Sequence, residues 1–114
     1  MIVYLNGEYM PAEEAKISPF DRGFLFGDGI YDATPSYDGK AVALQLHLDR
    51  MNRGLESIGI ENPLTDQQWR DVAKNLSEKM AAKILVYISM LAVVMRDVAF
   101  KAFLQISKQP SLPW

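Results

Sequence analysis

His47 and Arg50 stand three residues apart in a stretch where Leu48, Met51, Leu55 and Ile58 recur at intervals of three and four. That spacing predicts a helix with one apolar face, and Gly59 is available to stop it. Residues three apart share a helix flank, so His47 and Arg50 are expected side by side near the helix start. There, unpaired N–H groups and the positive dipole end favour an anion, and an arginine can hold a phosphate. The plainer reading is a solvated arginine paired with a carboxylate and a histidine held by a hydrogen bond. A second candidate is Tyr31, which follows the run Asp21-Arg22-Gly23-Phe24-Leu25-Phe26-Gly27-Asp28-Gly29-Ile30. Its glycines permit backbone angles that a side chain forbids. Phe24, Leu25 and Phe26 are expected to anchor the resulting loop on a core, presenting Tyr31 at a fixed place. The plainer reading here is a structural turn entering a sheet.

The elements that must position these residues are legible in outline. Ile2–Leu5 is β-rich, Asn6-Gly7 is the preferred pair for a two-residue hairpin turn, and residues 8–10 return. Pro11 opens a polar segment whose Glu13, Glu14 and Lys16 read as solvated, and Ser18-Pro19 ends it. Residues 30–37 form a strand, Asp38-Gly39 repeats the turn chemistry, and residues 40–44 return. Pro35 implies an edge position or a bulge. Thr65 with Gln68 matches a capping box, and Trp69, Val72, Leu76 and Met80 mark a second helix over residues 66–79. A buried strand follows at residues 84–88. The class is α+β, an antiparallel sheet packed by helices.

Composition narrows the chemistry. The chain has 114 residues, enough for one domain or half of a larger one, and a net charge of −2 with no basic block, so no nucleic-acid footprint is visible. It has no cysteine and 1 histidine, which leaves no disulfide, thiolate nucleophile or cysteine metal site, and no histidine-rich metal site within one chain. The start lacks the basic residues and long apolar run of a signal peptide, so a cytoplasmic protein is expected. Residues 84–95 are too short an apolar run for a bilayer, which needs ~20 residues.

Four motifs occur together: Leu5-Asn6-Gly7-Glu8, Asp21-Arg22-Gly23-Phe24, Phe26-Gly27-Asp28-Gly29-Ile30-Tyr31 and His47-Leu48-Asp49-Arg50-Met51. In order and spacing they resemble the class IV pyridoxal-phosphate aminotransferases, most of all the bacterial D-amino-acid transaminases, with branched-chain aminotransferases and aminodeoxychorismate lyase as relatives. The resemblance covers residues 1–89 and implies the small N-terminal domain of a fold-type IV enzyme, a homodimer in its parent family. It implies that Arg50 contacts the phosphate of pyridoxal 5'-phosphate and that Tyr31 helps bind the substrate carboxylate. The substrates would be an amino acid and a 2-oxo acid. Where the family usually has glutamate after that tyrosine, this chain has Asp32.

Transamination needs a lysine amine to hold the cofactor and shuttle the proton, and a carboxylate beside the pyridine nitrogen. The resemblance places both beyond residue 114. Lys79, Lys83, Lys101 and Lys108 do not match the lysine position, so no catalytic residue is assigned, the large C-terminal domain is expected to be absent, and the chain alone is expected to be inactive. Residues 90–114 depart from the family pattern: Met90-Leu91-Ala92-Val93-Val94-Met95 replaces its Thr-Arg-Gly turn, and Val98 stands where histidine is wanted after Arg96. A frameshift is the favoured account, because permitted codons for residues 100–111, read out of phase, can give a segment like the one the D-amino-acid enzymes carry there. A naturally divergent apolar C-terminus is the other. The functional alternative to a truncated transaminase is a non-catalytic binding module that keeps the small-domain fold.

Overall fold

The first hairpin forms where the sequence predicts it. Strand β1 (Ile2–Leu5) pairs antiparallel with β2 (Glu8–Pro11), and Asn6 and Gly7 take φ of 49° and 94°, the left-handed pair that a tight hairpin turn requires. The computed structural model describes residues 1–80, 84–93 and 99–107. A single 3-10 turn (Ala12–Glu14) follows, with Glu13, Glu14 and Lys16 exposed. The glycine-rich run is not an open loop; residues Arg22–Phe26 form a short helix, α1. Asp21 caps it by accepting from Gly23 N at 2.7 Å and Phe24 N at 3.3 Å, and Gly27 ends it at φ 67°. Arg22 closes the far side through its Nε, 2.7 Å from Asp28 Oδ2. The expected apolar anchor is absent: Phe24, Leu25 and Phe26 are 68%, 45% and 64% exposed, because caps at both ends hold the turn without burying them.

Strand β3 (Gly29–Tyr37) is followed by the Asp38-Gly39 turn and a return strand, β4 (Lys40–Ala41), shorter than residues 40–44. Ala43 adopts φ 50° and redirects the chain into helix α2 (Leu44–Ser57), which cuts the strand off. Pro35 is not at an edge, since β3 lies between β5 and β4; its O accepts from Val42 N at 2.8 Å, so the side of Pro35 without an N–H faces the residue just past the two-residue strand β4. Helix α2 buries Leu48, Met51 and Leu55 as the periodicity predicts, but Ile58 is 44% exposed. Ile58 is the cap residue itself. Gly59 N bonds to Glu56 O and Ile60 N to Leu55 O, a Schellman closure that turns Ile60 inward in its place.

Helix α3 (Asp66–Met80) starts at the predicted capping box, with Gln68 N donating to Thr65 Oγ1 at 3.2 Å and Thr65 N to Gln68 Oε1 at 2.9 Å. Its Trp69, Val72, Ala73 and Leu76 join Tyr4, Leu48, Met51, Leu55 and Ile60 in one core. Strand β5 (Ile84–Val93) continues beyond residues 84–88, and β6 (Ala99–Ser107) lies inside the six-stranded sheet, whose order is β2-β1-β6-β5-β3-β4 with every pairing antiparallel. Residue 89 is therefore not an element boundary. The expectations about burial of the 84–88 side chains, and about Lys83, Lys108 and residues 94–98, lie outside the described residues. Among the described residues no helix is long and apolar enough to cross a membrane.

Candidate functional site

Strand β3 does not carry the usual apolar row toward the core. Its inward positions are Ile30, which packs against the core, and then Asp32, Thr34 and Ser36, at 4%, 6% and 1% exposure, while Tyr31 on the opposite face is 75% exposed. A buried carboxylate needs partners, and α2 supplies them. Asp32 Oδ2 accepts from Arg50 Nε at 2.7 Å, and Asp32 Oδ1 lies 2.6 Å from His47 Nδ1. A contact that short between a ring nitrogen and a carboxylate oxygen places the proton on Nδ1, so His47 donates to Asp32. Arg50 Nη2 comes within 3.2 Å of the same ring nitrogen. The three side chains form one interlocked group between strand and helix.

Burial pushes the Asp32 carboxyl up, but hydrogen bonds and charge from Arg50 and His47 outweigh it and hold the group below the usual carboxylate range. Asp32 in turn raises Arg50 above its ordinary value through a hydrogen bond and charge. Asp32 thus stays ionised and fixes the inner edge of the guanidinium. The Arg50 side chain is nevertheless 62% exposed, so its outer N–H groups, from a fork of about five donors, face solvent. An arginine oriented from behind and open in front suits a phosphate group.

The plainer reading of the His47–Arg50 pair is the one the structure shows. They share a flank of α2 and bond to a carboxylate, as the plainer reading has it. The dipole argument fails for Arg50, because α2 begins at Leu44 and Arg50 lies about 9 Å along its axis, beyond the first-turn donors. Tyr31 and Arg50 are not brought into contact by this chain: the pleat sends Tyr31 to the face of β3 away from Asp32. Asp32 itself is the residue that sequence reasoning left without a role. Its row misleads, since an acid alternating with Thr34 and Ser36 reads as a solvent-facing row, and it is the His47–Arg50 flank of α2 that satisfies it inside.

Comparison with known sequences names the class of protein to which this α+β chain belongs. The family model described as amino-transferase class IV matches residues 29–109, and the chain belongs to that family. Pyridoxal phosphate is the family's cofactor, and its members act on amino acids and 2-oxo acids. A putative branched-chain-amino-acid aminotransferase of Methanocaldococcus jannaschii is 40% identical over 72 residues, covering 63% of this chain and 25% of that protein. D-alanine aminotransferase of Staphylococcus epidermidis is 39% identical over 74 residues, covering 65% and 26%. The solved branched-chain aminotransferase from Thermoproteus uzoniensis, with norvaline, superposes with a TM-score of 0.74 at 22% identity, over 96% of this chain and 41% of that one. That likeness shows the fold. The chain spans about a quarter of the length of the curated relatives it matches.

Proposed function

We propose that this chain supplies the small-domain wall of a D-amino-acid transaminase site. The observation that carries the reading is the Arg50 guanidinium, held at its Nε by buried Asp32 and open to solvent on its other side. The residues fit the cofactor in part: Arg50 would hold the phosphate, with Asp32 and His47 fixing its orientation. Pyridoxal phosphate, when bound, supplies the electron sink for amino-group transfer. Tyr31, exposed on the other face of β3, would contact the substrate carboxylate. The lysine that holds the cofactor and the acid at its ring nitrogen would come from a large domain, and the working assembly would be a homodimer. Residues 1–89 would be the inherited small domain and residues 90–114 a tail displaced by a frameshift, while the family match through residue 109 and the place of β6 inside the sheet favour the other account, a naturally divergent C-terminus.

Two experiments test this. The 114-residue chain, incubated with pyridoxal phosphate and reduced with borohydride, should show no single stoichiometrically labelled lysine and no turnover of D-alanine with 2-oxoglutarate. One labelled lysine accompanied by turnover would refute the assignment of catalysis to another domain. Mixed with a separately expressed large domain of the family, the chain should favour D-alanine over L-leucine. The opposite preference would support a branched-chain substrate, the reading suggested by the Methanocaldococcus jannaschii relative, which is 40% identical against 39% for the D-alanine aminotransferase. The gene segment coding for residues 90–114, read in all three frames, tests the tail: if no other frame gives a class IV aminotransferase sequence there, the frameshift is wrong.

A further inference from the structure

The Asp38-Gly39 turn, the start of α2 and one face of α3 enclose a cleft of about 250 Å³. Arg70, Lys74 and Ser77 recur at helical spacing on that face of α3, and Lys40 faces them from β4. Gly39 takes φ 77°, which allows the turn to close on α3, where a Cβ on Gly39 would come 4.0 Å from Ser77 Cβ. Among the described lining residues none is acidic. Three cations around one small concavity repel each other, and an anion is the natural way to relieve that.

Two further observations point to a ligand. Ser36 is 1% exposed, its hydroxyl has no hydrogen-bond partner, and its register partner Ala41 lines the cleft. Paired residues project from the same face of a sheet, which puts this orphaned donor beside Ala41, next to the cleft lining. In addition, Leu44 at the start of α2 lines the cleft, and Ala43 offers that helix no side-chain cap. Among the described residues, Arg70 and Lys74 each have one competing contact. Arg70 donates one of its N–H groups to Gln45, and Lys74 meets Glu78 at 4.0 Å in a pair with side chains 73% and 65% exposed.

We infer that this cleft binds a phosphate group, free or at the end of a small phosphomonoester, through Lys40, Arg70 and Lys74. The site is separate from Arg50, which lies about 9 Å further along α2 on a different flank. The volume falls just below the ~300 Å³ at which pockets for drug-sized ligands begin, which limits the occupant to a small anion.

The test is a residue-resolved NMR titration of the whole chain at constant ionic strength, with inorganic phosphate in one arm and glycerol 2-phosphate in the other. The amides of Gly39, Lys40 and Leu44 should shift saturably. Lys40→Ala and Lys74→Ala alter exposed side chains and leave the core intact, and each should weaken binding about three- to tenfold. Arg50→Ala should leave the affinity read at these amides unchanged. Tighter binding of glycerol 2-phosphate supports an esterified ligand, and equal binding supports free phosphate. Linear, unsaturable shifts, equal affinity in both lysine variants, or loss of the response in Arg50→Ala would each overturn the assignment.

Discussion

Replacing Asp32 by asparagine removes the charge that joins β3 to α2 while keeping the side chain's volume. The native carboxylate accepts from Arg50 Nε at 2.7 Å through one oxygen and from His47 Nδ1 at 2.6 Å through the other. An amide can accept at only one of these points and presents N–H to a donor at the other. Hydrogen bonds to charged groups contribute ~1.5–3 kcal/mol each. Because the Arg50 end remains in water and is screened, the net cost of Asp32→Asn is about 1–2 kcal/mol. The pH dependence gives a second handle. The folded-state pKa of Asp32 lies below its ordinary value of 3.8, so the ionised group stabilises the fold fully above 3.8 and loses that contribution as pH falls through the folded value. Urea unfolding should therefore show wild type more stable than Asp32→Asn at neutral pH, with the gap closing in acid below 3.8. No gap at neutral pH, or one that persists unchanged in strong acid, would refute the reasoning.

Three other perturbations have expected outcomes. In Gly54→Val the new Cβ would meet Ile30 Cγ2 at 3.3 Å, before its methyls are added, so denaturant unfolding should show a loss of about 1–3 kcal/mol. Thr65→Ala removes the hydroxyl that accepts from Gln68 N and should cost about 1 kcal/mol, seen as a lower urea midpoint with an unchanged slope. Tyr31→Phe should leave urea stability within about 0.5 kcal/mol of wild type, because the side chain is 75% exposed, while lowering D-alanine turnover in the complemented enzyme.

The sequence disclosed most clearly the elements whose chemistry is local. Asn6-Gly7, Asp38-Gly39 and the Thr65/Gln68 box each specify their turn or cap within four residues, and each formed as expected. Helix α2 showed its core face through Leu48, Met51 and Leu55 and its stop through Gly59, and only Ile58 was misplaced, because the Schellman closure turns Ile60 inward instead. Features that depend on distant parts of the chain were harder to see. The aromatic residues of α1 looked like an anchor because apolar type usually implies burial, yet Asp21 and Gly27 hold the turn without it. The motif order placed Arg50 at the candidate site, but its orientation depends on Asp32, 18 residues earlier on another element. No window of the sequence contains both. Gly54, in mid-helix where alanine would be more stable, was a readable sign of a close approach, which the strand residue Ile30 makes.

The central claim is that Arg50, oriented by Asp32 and His47, is the residue that receives the cofactor's phosphate. The most direct measurement is an NMR titration with pyridoxine 5'-phosphate, which carries the same phosphate but no aldehyde to react with lysines, following the Arg50 Nε–H and the His47 amide. Both signals should shift saturably in the wild-type chain, and in Arg50→Ala the affinity read at the His47 amide should fall about tenfold or more. Equal affinity at His47 in wild type and Arg50→Ala would contradict the account.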